Sequence, residues 1–118
     1  MGVQVFQCHT GNSLKKLFNK SNVDKMFVQI DDTQGDVRIT GKAYICNEDG
    51  KNEYVSQFDH LAKDIISVRK DEFQGKDALV MFMKIPSIYG SKKIQIILPD
   101  LANLNQALGI ISDYVKPI

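Results

Sequence analysis

The chain has no tryptophan, no long apolar run and no excess of charge of either sign. Nowhere does hydrophobicity persist for the roughly 20 residues that a membrane-spanning helix requires. Fifteen basic residues stand against fourteen acidic ones, a formal net charge of +1. That balance lacks the strong field of a dedicated nucleic-acid binder, so no nucleic acid is expected as a partner and any electrostatic recognition has to be local. The only two cysteines, Cys8 and Cys46, have neither CxxC nor Cys/His spacing. Neither a metal site nor a redox pair is signalled, and free, partly buried thiols are expected.

Catalytic signatures are missing as well. There is no Gly-rich phosphate loop, no HExxH, no GxSxG and no paired-carboxylate motif. His60 stands beside Asp59, but an Asp-His contact matters for catalysis only with a nucleophile in reach, and no Ser or Cys motif announces one. His9 has no such context either. The expectation is therefore no catalytic residue, no metal, no cofactor and no enzyme activity. The first residues show no basic segment followed by an apolar stretch, which points to the cytoplasm or another reducing compartment. Met1-Gly2 invites N-myristoylation, but Phe6 stands where that pattern wants Ser or Thr.

What is present is a succession of short strand-like segments, clearest over residues 64–84, DIISVRKDEFQGKDALVMFMK. Ile65, Ile66 and Val68 form a β-branched run, Gln74-Gly75 punctuates it, and Ala78 to Met83 are six apolar residues in succession. Apolarity on both faces predicts that this strand is covered on both sides, by the terminal helix or by another subunit. Lys76, Asp77 and Lys84 flank it as gatekeepers.

Upstream, Val3 to Cys8 alternates, with Gln4, Phe6 and Cys8 on one side. Met26, Val28 and Ile30 share a face, and so do Val37, Ile39, Gly41, Ala43 and Ile45. Gly41 in mid-strand predicts a bend or a close approach of another backbone. Asn47-Glu48-Asp49-Gly50 is a strong hairpin turn, after which Glu53 to Phe58 return as a strand. Asp59 to Lys63 leaves room for no more than a turn of helix. Ile85 to Ser91 reads as a loop with Ile88 and Tyr89 exposed, and Ile94 to Leu98 as a strand stopped by Pro99. Asp100 is placed to cap a helix over about residues 100–116, with Leu101, Leu104, Leu108, Ile111 and Val115 as its apolar stripe and Pro117 at its end.

One segment is basic. Residues 13–25, SLKKLFNKSNVDK, form a short amphipathic element with Leu14, Leu17 and Phe18 on one face. Lys15, Lys16, Lys20 and Lys25 are relieved only by Asp24. Such an element lies on an anionic membrane or plugs one end of the fold while its lysines keep that surface soluble.

The fold class that follows is mainly β (α+β). About seven antiparallel strands form a small curled barrel or sandwich, closed by the C-terminal amphipathic helix, in a single domain over residues 1–118. This order resembles the pleckstrin-homology superfold, in particular its GRAM and bacterial variants. The residues that carry the resemblance are the Asp64-Ile65-Ile66-Ser67-Val68 strand, the loop with Gly75, the apolar strand, KKIQIILPD and the Leu-rich helix, over roughly residues 26–116. The resemblance implies a non-catalytic binding module. Phosphoinositide-binding members carry a Lys, a spacer and a basic-x-Arg pattern early in the domain. Lys15, Lys16, Lys20 and Lys25 hold a comparable position here, but Met26-Phe27 follows without an Arg.

Two readings of function stand side by side. In the first, the module docks a protein or peptide segment along a strand edge or beside Ile88 and Tyr89. In the second it meets anionic phospholipid headgroups through Lys15 to Lys25 with Lys92 and Lys93, as a peripheral membrane protein. Two further classes are an enzyme with dispersed active-site residues, using the barrel interior as a pocket, and self-association into a homo-oligomer, resting on the two-sided apolar strand.

Overall fold

The structure is a computed structural model, described here for residues 2–9 and 25–115. The basic segment, apart from Lys25, and Pro117 lie outside the described residues. Seven strands form one antiparallel sheet: β1 (Val3–Gln7), β2 (Phe27–Asp31), β3 (Arg38–Asn47), β4 (Tyr54–Leu61), β5 (Ile65–Phe73), β6 (Lys76–Ser87) and β7 (Gly90–Pro99). One helix, α1 (Leu104–Ser112), follows. The sheet runs β1-β2-β3-β7-β6-β5, with β4 also paired to β3, and curls into a half-barrel.

β3 is where the sheet divides. β4 pairs with it from Arg38 to Ile45 along one edge. The other edge is shared: β2 takes Arg38 to Lys42, and β7 takes Tyr44 to Asn47. Beyond Ala43 the two neighbours diverge, and the end of β1 knits them together again. Cys8 forms an isolated bridge with Leu101. The His9 N–H donates to the Asp100 carbonyl at 2.8 Å, the Ala102 N–H to the Gln7 carbonyl at 2.8 Å and the Asp100 N–H to the Asp77 carbonyl at 2.7 Å.

Gly41 sits next to this fork. A Cβ there would run into the Phe27 carbonyl and come within 3.0 Å of the Phe58 ring. The residue is glycine because the β2 backbone and an aromatic ring both close on its Cα, which is the close approach that the sequence suggested.

The concave face holds the core. Val28, Ile39, Ala43, Leu79, Met81, Met83, Ile96 and Leu98 are fully buried there, joined by Ala107 and Ile111 of the helix, which lies against β5 and β6. The opposite face of β6 is apolar too, and among the described residues no helix or strand is packed over it. Ala78, Val80, Cys46 and Ile97 are covered instead by Tyr44, Phe73 and Phe82. The Tyr44 and Phe73 rings meet with centroids 4.9 Å apart, and the Arg69 guanidinium lies 4.5 Å from the centre of Phe82. The strand is thus covered on both faces as expected. The second cover comes from aromatic side chains of the same sheet, and the helix covers only the first.

Several boundaries move from where the sequence put them. Asp59 to Leu61 continue β4, paired with β3, and only Ala62–Asp64 forms a 3-10 turn. Asp100 is no helix cap: its φ is +55° and Asn103 precedes the helix, itself at +57°. Leu101 is drawn into its bridge with Cys8, so the chain enters the helix three residues later than periodicity alone suggests. The apolar stripe remains, with Leu101 buried just ahead of the helix.

Gly41→Ala is expected to lower stability by at least about 3 kcal/mol, because the obstacle is backbone and has no rotamer to yield. Gly35→Ala, where a Cβ meets nothing within 4 Å, should leave the urea midpoint almost unchanged.

Candidate functional site: the β6–β7 ribbon

The stretch Ile85 to Ser91, expected to be a loop, is a hairpin. β6 continues to Ser87, β7 starts at Gly90, and only Ile88 and Tyr89 connect them. Both faces of the connection are exposed: Ile88 is 89% and Tyr89 92% accessible, well above every other large hydrophobic residue described. The Tyr89 N–H donates to the Ser87 hydroxyl oxygen at 3.1 Å, which stiffens the turn.

This hairpin outruns the sheet. β5 pairs with β6 no further than Met83, and β3 pairs with β7 no further than Ile94. Among the described residues Lys84 to Lys93 therefore have no further strand beside them and form a two-stranded ribbon with four rungs: Lys84 opposite Lys93, Ile85 opposite Lys92, Pro86 opposite Ser91 and Ser87 opposite Gly90. At strand spacing it projects by about 14 Å. A two-residue connection makes Ser87 and Gly90 the hydrogen-bonded closing pair, so by alternation Pro86 turns its nitrogen outward. Proline costs no ladder bond at a free edge, so the residue that reads as a loop breaker is compatible with the strand.

By the same alternation Lys84 and Lys93 form a non-hydrogen-bonded pair, the closer kind, on one face. Like charges directly opposite each other are destabilising. Partial relief comes from Glu48, whose carboxylate is 4.0 Å from the Lys93 ammonium. The Gln95 side chain holds Glu48 there by donating to the carbonyls of Asn47 and Glu48 at 3.2 and 2.8 Å. Lys92 lies on the other face beside Ile85 and stays exposed.

The structure brings together Ile88, Tyr89, Lys92 and Lys93, which the sequence had assigned to two different surfaces. It adds Lys84, read earlier only as a gatekeeper. The signal for Lys84 was its register opposite Lys93, visible once Ile88-Tyr89 is taken as a two-residue turn. Lys25 sits elsewhere, near Cys8 and Asp100 at the fork. Lys15, Lys16 and Lys20 lie outside the described residues.

A cleft of about 410 Å³ opens where β1, β7 and the start of α1 converge, lined by His9, Lys70, Asp77, Asp100 and Asn103 among others. Among the described residues no serine, threonine or cysteine lines it. Among the described residues no group of three or more His, Cys, Asp or Glu could hold a metal ion. His60 lies within β4, half-buried, its ring 6.5 Å from that of Phe58. Burial pushes its pKa down against the opposing pull of Asp64 and Asp59, while Asp59 is held by Arg38.

Both cysteines are free and buried, as expected. Burial first, with the Asp100 carboxylate adding and Lys25 opposing, pushes the Cys8 thiol from 9.0 up to about 12. A thiol held neutral in the fold ionises first in the unfolded chain, so stability should fall as pH rises above about 9 and level off near 12. Urea melts between pH 8 and 11 would show a steeper decline for the native protein than for Cys8→Ala. Thiol reagents should reach Cys8 only in urea.

No family model, no curated protein and no solved structure matches this chain.

Proposed function

We propose that the protein is a non-catalytic binding module of pleckstrin-homology type that docks on anionic membrane surfaces through the β6–β7 ribbon. The observation that supports this is one projection carrying a bare Ile88-Tyr89 tip behind which stand three lysines and no acid of its own. An aromatic beside an aliphatic residue suits the boundary between headgroups and acyl chains, and a basic collar suits the headgroups.

Size decides against a protein groove as the first choice. A stable protein interface takes about 800 Å² from each partner, and a two-residue tip supplies only a fraction of that. A bilayer needs no matching groove. Burying Ile88 contributes about 2 kcal/mol, and each lysine near an anionic surface about 1 kcal/mol. The sum of about 5 kcal/mol corresponds to weak, reversible binding somewhat tighter than millimolar. Glu48 opposes it by occupying Lys93. No helix among the described residues is long and apolar enough to cross a membrane, and this reading requires none.

Sedimentation with vesicles containing phosphatidylserine should pellet the protein at low salt and release most of it near physiological salt. Ile88→Asp, or joint replacement of Lys84, Lys92 and Lys93 by Glu, should abolish pelleting, and Glu48→Gln should strengthen it a few-fold. Absence of pelleting at any salt would overturn the membrane reading in favour of a protein or peptide partner at the same tip. The same assay with Lys15, Lys16 and Lys20 changed to Glu measures what the basic segment adds.

A further inference from the structure

We propose that Tyr89 is a phosphorylation site and that its modification releases the ribbon from the anionic surface, a regulation that rests on the membrane reading above. Three observations converge on this residue.

The first is access. Of the four tyrosines, Tyr44 and Tyr114 are half-buried in the core clusters, Tyr54 is 53% accessible and lies in the first rung of β4, and Tyr89 is 92% accessible. No hydrogen bond to its phenol oxygen is made among the described residues, and only its backbone N–H is engaged.

The second is separability. A kinase must align the acceptor oxygen with the γ-phosphate inside its own cleft, so the acceptor segment has to leave its fold cheaply. Among the described residues the backbone from Lys84 to Lys93 is paired only with itself. Opening the ribbon breaks its own rungs, the packing of Ile85 against the core and the Lys93–Glu48 contact, but no backbone pairing of β5 or β3, as expected of a segment from the low-stability end of a structure.

The third is charge. Around the tip stand Lys84, Lys92 and Lys93, opposed by Glu48, a sum of +2 from three cations and one anion. A phosphotyrosine brings about −1.5 to −2 at neutral pH, enough to cancel that field, and it replaces an apolar-aromatic tip by a strongly hydrated one.

In the reaction the γ-phosphoryl group of ATP passes to Oη of Tyr89. The bond from the γ-phosphorus to the bridging oxygen breaks, ADP leaves, and the phenolic proton goes to solvent. The co-reactants are thus a nucleoside triphosphate and a tyrosine kinase.

The test treats the full-length protein with ATP and a tyrosine kinase of broad specificity, maps the modified residues by mass spectrometry, and measures binding to phosphatidylserine vesicles before and after. Tyr89 should be modified well ahead of Tyr54, Tyr44 and Tyr114, and the label should vanish from the fast phase in Tyr89→Phe. Vesicle affinity should fall at least about tenfold on modification and return on treatment with a phosphatase. Label that goes first to another tyrosine overturns the site assignment. A modified Tyr89 with unchanged vesicle affinity overturns the release. If the untreated protein ignores vesicles, the membrane reading itself has failed and the release falls with it, while the mapping still decides separately whether Tyr89 is the acceptor.

Discussion

One edge of β3 has to satisfy two neighbours, and the rest of the molecule is arranged around that constraint. Backbone donors and acceptors that leave water need partners. β2 supplies them as far as Lys42 and β7 from Tyr44 onward. Two strands leaving one edge in different directions force the sheet to curl, and the wedge between them has to be closed. The end of β1 closes it through the bonds of Gln7, Cys8 and His9 to Asp100, Leu101 and Ala102. Gly41 makes the arrangement possible by letting the Phe27 carbonyl approach its Cα.

The same constraint accounts for the ribbon. Because β7 meets β3 only over its second half, and β5 stops opposite Met83, the β6–β7 hairpin is longer than the described strands that pair with it. Its last rungs contribute little to the core, and all of their side chains but Ile85 are exposed. A projection that keeps an exposed isoleucine and tyrosine at its tip, and opposes two lysines across one rung, carries a local cost that the fold does not require. Such a conflict between local choice and stability is what singles the ribbon out as the candidate site.

β6 shows how a curled sheet disposes of a strand that is apolar on both sides. The concave face meets α1 and the main core. On the other face, the β5–β6 turn places Phe73 where it reaches Tyr44 across two intervening strands. Burial on that face is completed by long side chains, including the Arg69 stem and guanidinium over Phe82, with Arg69 itself paired to Asp71. A small second cluster of this kind buries Ala78, Val80, Cys46 and Ile97 with side chains of the same sheet.

Much of this was legible in the chain itself. Period-two alternation set which side of β2 and β3 faces inward, the Asn47 to Gly50 and Gln74-Gly75 turns set the hairpins, and the spacing of Leu104, Leu108 and Ile111 set a terminal helix with one apolar stripe. These are local properties, fixed by the pleat, by φ preferences and by the helical period, so neighbouring residues suffice to specify them. What tertiary structure alone decided was non-local. Whether Pro86 breaks a strand depends on whether its nitrogen faces a partner, and it faces a free edge. Whether Asp100 caps a helix depends on whether its backbone is already taken, and His9 and Asp77 take it. Whether Lys84 belongs with Lys92 and Lys93 depends on register across a turn. Pairing partners lie tens of residues apart in sequence, and only the closed set of backbone hydrogen bonds determines which edge each strand finds.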